Sequence, residues 1–158
     1  MEIKKIEEGI EVKLSDVKII FESLKSKSAD IKILSKITPN INDPNIINLP
    51  GEYELKGIFF RGYQNGENII VVWGTRETKI LYSTSEFKDE IFKNIKEEFD
   101  ETIDIGIFKN IKNWQKLKND LKLKVVILVD KVENFKGEKV KDLKLNLKKL
   151  EEKDYLLI

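Results

Sequence analysis

The unbroken apolar run within residues 124–129 (KVVILV) constrains the fold of this chain more than any other segment. A strand open to water on one face alternates apolar and polar residues, whereas a short continuous run reads as a strand covered on both faces. Such a strand needs a packed layer on each side. Residues 103–108 (IDIGIF) read as a second strand of the same kind of unit. Between the two, Ile111, Trp114, Leu117 and Leu121 recur at helical spacing. Before them, Phe87, Ile91 and Ile95 mark one face of a helix over 86–98, with Ser85 as its expected N-cap.

The first half has a different rhythm. Residues 9–14 and 17–22 are short strands flanking a Ser15-Asp16 turn, and 31–35 is another apolar run. Thr38 to Asn48, with Pro39 and Pro44, reads as loop. Residues 52–63 alternate as a strand, with Gly57 a bulge or tight turn, and 68–73 and 78–82 are strands around Gly74–Glu77. Segments 143–147 and 155–158 are expected to close the chain as a hairpin. A β meander, then β-α-β-α-β units, predicts an α/β sandwich with helices outside packed sheets, as a single domain over 1–158.

Composition narrows the chemistry. With 41% hydrophobic and 36% charged residues the chain is globular. Lys+Arg is 29 against Asp+Glu 28, a net charge of +1, which gives no general attraction to nucleic acid or anionic membrane. Only Arg61 and Arg76 are arginines. There is no cysteine and no histidine. That removes thiolate and imidazole metal ligands, the usual general base near neutral pH, and any Ser-His-Asp or Cys-His nucleophile system. No apolar stretch is long enough to span a bilayer and the N-terminus has no apolar h-region, so a soluble, cytoplasmic protein without membrane association is expected.

One segment carries a resemblance. Leu49-Pro50-Gly51-Glu52-Tyr53-Glu54-Leu55-Lys56-Gly57-Ile58 resembles a run found in small Zn-dependent hydrolase-like proteins of the metallo-β-lactamase superfamily. The order of the flanking segments agrees over most of the chain. The resemblance implies a metallo-β-lactamase-like αββα sandwich, reduced in size. It also implies where metal ligands would stand. Ile10 follows Gly9 where the family has a histidine. The strand Ala29-Asp30-Ile31 leads to Lys36, Thr38, Asn40 and Ile41 at the ligand-loop positions. Ser85 lies nearest the bridging aspartate, and Asp130 follows the apolar strand at the final histidine. The ligand-bearing strands match and the ligands do not. One carboxylate cannot hold a transition metal, so no metal and no cofactor is expected.

The resemblance therefore implies a pseudoenzyme serving as an interaction or scaffold module, for an unidentified protein partner or for self-association. The alternatives are a hydrolase with an oxygen-only Mg²⁺ or Mn²⁺ site built from Asp130, Glu52 and Asp30, and a nucleic-acid-binding module, which the charge balance disfavours. Simpler roles compete at individual positions. Glu52 and Glu54 share a strand face and read as solvated, and Asp130 reads as a cap or turn residue. Lys36 would seal the old site by pairing with Asp130. Trp73, Phe59, Phe60, Trp114 and Phe92 read as core, Gly51, Gly57 and Gly62 as turns and bulges, and Lys136 to Lys149 as a solvated strand face.

Overall fold

The computed structural model describes residues 1–26 and 28–158. In chain order the elements are β1 (Glu2–Lys5), β2 (Ile10–Leu14), β3 (Val17–Phe21), β4 (Ile31–Ile33) and β5 (Ile46–Ile47). Next come β6 (Gly51–Leu55), β7 (Ile58–Asn65), β8 (Asn68–Gly74), β9 (Lys79–Ser83) and α1 (Asp89–Phe99). They are followed by β10 (Ile103–Lys109), α2 (Trp114–Leu121) and β11 (Val125–Val129). The order is completed by β12 (Glu138–Val140), β13 (Asp142–Lys144) and β14 (Lys153–Leu157). They form a six-stranded sheet, β13-β1-β2-β3-β4-β5, packed on an eight-stranded one, β12-β14-β11-β10-β9-β8-β7-β6.

β11 sits inside the eight-stranded sheet with all five residues buried. Val125, Ile127 and Val129 face the other sheet. Val126 and Leu128 face the helical layer. That two-sided burial, worth roughly 1.5–3 kcal/mol per large aliphatic side chain, is what the unbroken apolar run demands. β9, β10 and β11 are parallel, joined through α1 and α2 as a β-α-β-α-β unit. Between the sheets Trp73 is fully buried, with Phe21 at 5.6 Å and Phe60 at 6.2 Å between ring centroids. Trp114 is buried on the helix side, where Phe59 and Phe92 pack half-buried.

Both helices lie against the eight-stranded sheet. The outer face of the six-stranded sheet instead carries a charged ladder, with Lys4 3.4 Å and Lys18 3.7 Å from Glu11. Charged side chains can stay hydrated there, so this face needs no helix over it. Among the described residues no helix is long and apolar enough to cross a membrane.

Three expectations shift. The stretch 52–63 is two strands, β6 and β7, with a tight turn at Lys56-Gly57, whose φ values are 54° and 79°. Ser85 is not the cap of α1: the N-cap position is Lys88, without a side-chain cap bond. Asn65 explains this. Its amide nitrogen donates to Ser85 Oγ at 3.0 Å and to the Glu86 carbonyl at 2.9 Å, and its oxygen accepts from Lys88 N at 3.0 Å. These tertiary bonds hold 85–88 outside the helix. Finally, the last segments form no hairpin. β13 pairs antiparallel with β1, while β14 runs parallel to β11 in the other sheet. The split lets Leu143 and Leu145 close one side of the inter-sheet core while Leu156 and Leu157 flank β11.

Replacing Trp73 with alanine should cost about 3–5 kcal/mol, the usual cost of emptying an aromatic core position. The urea midpoint of the variant measures it, and a loss below 1 kcal/mol would contradict this packing.

Candidate functional site

The ends of β3, β4, β9 and β11 meet at one end of the sandwich, and the residues there decide what the site can bind. Glu22, just past β3, has a left-handed φ of 71°. Its carboxylate accepts from Ser35 N at 2.9 Å, Ser35 Oγ at 2.9 Å and the Tyr82 hydroxyl at 3.0 Å. Ser35 comes from the six-stranded side and Tyr82 from β9 of the eight-stranded sheet. Thr84 Oγ1 donates in turn to Ser35 Oγ at 2.9 Å. Burial, and then the Glu22 carboxylate, push the Tyr82 hydroxyl well above its ordinary value of 10.0. Tyr82 therefore remains a proton donor to Glu22. The loop after β4 is pinned to the opposite sheet by backbone as well: Ile69 N donates to the Ser35 carbonyl at 2.7 Å and Ile37 N to that of Glu67 at 2.9 Å.

Asp130, after β11, also has a positive φ of 71°. Its carboxylate lies 2.5 Å from Lys5 Nζ and 3.3 Å from Lys109 Nζ. The Lys5 hydrogen bond is the main influence holding the Asp130 carboxyl below its ordinary 3.8; burial opposes it and Lys109 assists. Glu22, Tyr82, Asp130 and the two lysines line a pocket of 210 Å³ floored by Gly9 and Ile10.

The aligned positions separate into groups. Ile10 and Asp130 share this pocket. Ser85 is held by Asn65, and its amide donates to the fully buried Ser83 Oγ at 3.3 Å. Thr38 turns back on the Lys36 carbonyl at 3.1 Å, and its own carbonyl accepts from the buried Asn48 amide. Asn40 is exposed with φ 81°, and Ile41 is half-buried. Lys36 does not seal the site. It is exposed and bridges by backbone to Asn68, while Lys5 and Lys109 take the Asp130 carboxylate. Asp130 is no helix cap either, since the chain beyond it runs through a loop to β12.

The carboxylates of an oxygen-only site do not converge. Asp30 accepts from Lys18 N at 2.9 Å, Glu52 is exposed 3.8 Å from Arg61, and Asp130 is ion-paired. Among the described residues no three His, Cys, Asp or Glu side chains are grouped so as to hold a metal. The Pro50-Gly51-Glu52-Tyr53-Glu54 motif builds the β6 turn. Gly51 takes φ 143° and the Tyr53 hydroxyl donates to the Leu49 carbonyl at 2.8 Å, while Glu52 and Glu54 point to solvent.

Comparison with known proteins identifies the fold. No family model and no curated protein matches the sequence. A Thermotoga maritima structure, assigned to the Zn-dependent hydrolases of the metallo-β-lactamase superfamily, superposes with a TM-score of 0.73 at 18% identity, over 99% of this chain and 98% of that one. A diphosphatase of the PhnP family superposes at 0.51 and 10% identity, over 76% of this chain and 70% of its own. The chain has the metallo-β-lactamase fold at 158 residues, with its helices gathered on one sheet. The donor set does not fit the zinc that such a fold implies. Imidazole and thiolate are missing from the sequence, Glu22 already accepts three hydrogen bonds, and Asp130 already binds two ammonium groups.

Sequence reasoning missed Glu22, Ser35, Tyr82, Thr84, Lys5 and Lys109 as parts of the site. Ser35, Tyr82 and Thr84 share a signal, a polar side chain within two residues of the end of an apolar strand, while Lys5 and Lys109 carry none.

Glu22→Ala should cost about 3 kcal/mol, because it strands the Tyr82 hydroxyl and Ser35 amide in a buried junction. Tyr82→Phe should cost about 1 kcal/mol, since Glu22 keeps both Ser35 donors. Urea unfolding measures both, and the reverse order would contradict the network. Asp130 titrates below its unfolded value, so its contribution is complete above about pH 4 and fades as pH falls through the lowered value. Asp130→Asn should therefore be destabilised at neutral pH, and the difference from wild type should vanish on acidification.

Proposed function

We propose that this chain is a non-hydrolytic protein of the metallo-β-lactamase fold, acting as an interaction or scaffold module. The observation that carries the reading is the engagement of Glu22 by three protein donors, two from Ser35 and one from Tyr82. A carboxylate that would have to face a cation or activate a water instead accepts three hydrogen bonds from protein donors on both sheets. Opening it would leave buried donors unpaired, which disfavours exchange for a ligand. Asp130 is bound by ammonium groups where a metal would compete.

The fold retains what a module needs: a rigid two-sheet core and loops at its ends. Its sheet edges are poor sites for self-association. β5 has two residues, β12 and β13 three each, and β6 exposes Glu52 and Glu54. Short or charged edges resist strand addition. The reading therefore places binding on a side-chain surface rather than a strand edge.

Elemental analysis of dialysed protein, with phosphodiesterase, lactonase and β-lactam hydrolysis assays, tests this. The expected result is far less than one transition-metal ion per chain and no turnover above the uncatalysed rate. A stoichiometric metal, or turnover abolished by Asp130→Asn, would overturn it.

A further inference from the structure

A second concavity adjoins the Asp130 pocket and shares Val129 with it. It is a groove of 1340 Å³ between the start of α2 and the loop joining β11 to β12. The chain builds it because two adjacent parallel strands send their connections apart. β10 leads through Asn110–Asn113 into α2, while β11 leads into a long loop at 130–137. Val132 and Phe135 fold that loop back on the helical layer. Phe135 is half-buried, 6.3 Å from Trp114, and leaves part of its ring on the groove wall.

Charge is distributed unevenly around this wall. Two of its acids are already paired, Glu138 with Lys153 at 2.5 Å and Asp154 with Lys118 at 3.0 Å. Among the described residues Lys112, Lys131 and Lys136 form no ion pair, and they face one unpaired acid, Glu133. Their exposure fits them to an external anion. The groove exceeds the roughly 300–1,000 Å³ typical of small-molecule sites, which favours an extended occupant. A polyphosphate chain fits poorly, since the wall has no arginine and contains three acids.

We propose that this groove docks an acidic peptide segment of a partner protein, with an apolar or aromatic side chain seated against Phe135 and Trp114. Flanking carboxylates pair with Lys112, Lys131 and Lys136. The proposal rests on reading the chain as an interaction module and names its binding face.

The test is an NMR titration of the full ¹⁵N-labelled chain with a glutamate-rich synthetic peptide carrying one tryptophan. Shifts should concentrate in 110–115 and 131–137. Binding should weaken with salt, and should fall at least about tenfold in the triple variant Lys112→Glu, Lys131→Glu, Lys136→Glu. These lysines are exposed, so the variant should keep its fold, which its dispersed spectrum verifies. A lysine-rich peptide with the same tryptophan should not bind. No binding of the glutamate-rich peptide, shifts centred elsewhere, indifference to the triple variant, or tighter binding of a thymidine oligonucleotide in the groove would each overturn the proposal. Metal analysis judges the module reading separately: a metal-loaded chain that binds the peptide would sink that reading and leave the groove, and a metal-free chain that ignores the peptide would do the reverse.

Discussion

The Glu22 carboxylate is the point on which the open end of this sandwich depends. Two sheets whose strand ends face each other leave polar groups in a partly dry junction, and each must find a partner there. Here one acceptor collects donors from both sides, Ser35 from one sheet and Tyr82 from the other. The left-handed backbone at Glu22 aims the side chain inward, and the Ser35 contacts in turn fix the loop after β4. Order passes from a single carboxylate to the segment that the family resemblance marks as the ligand loop. Asp130 follows the same logic with charge: two ammonium groups satisfy a carboxylate that would otherwise carry an uncompensated charge beside the core.

Much of the fold was legible because burial on two faces leaves a strong mark on sequence. Val125–Val129 reads as a covered strand whatever its neighbours are, and the spacing of Trp114, Leu117 and Leu121 reads as a helix face. What was not legible depended on partners far away in the chain. Ser85 has the chemistry of an N-cap, yet Asn65, twenty residues earlier, captures it. Of the last two segments, 143–147 alternates and 155–158 is a short apolar run. Neither pattern can say which sheet its strand joins, and β12 to β13 crosses between sheets at Lys141.

The site shows the same division. The missing imidazoles and thiolates could be read directly, and so could most of the strands around the junction. What fills the junction could not. Lys36 stood close to the expected site along the chain, but its strand direction carries it to the surface beside Asn68. Lys5 and Lys109 sit on β1 and β10, which only the folded topology brings to Asp130. Ion pairs of this kind leave no local pattern, because their partners are chosen by strand register.

The proposed lack of metal chemistry would not be a matter of single residues. Placing a histidine at Ile10 or Lys36 would add one donor to a junction whose carboxylates are already engaged. A metal would have to displace Lys5 and Lys109 from Asp130 and break the bonds of Glu22, leaving the Tyr82 hydroxyl and the Ser35 amide without partners. Each stranded buried group costs about 1–3 kcal/mol, before any gain from coordination. The hydrogen-bonded and ion-paired state therefore satisfies Glu22 and Asp130 with protein partners alone.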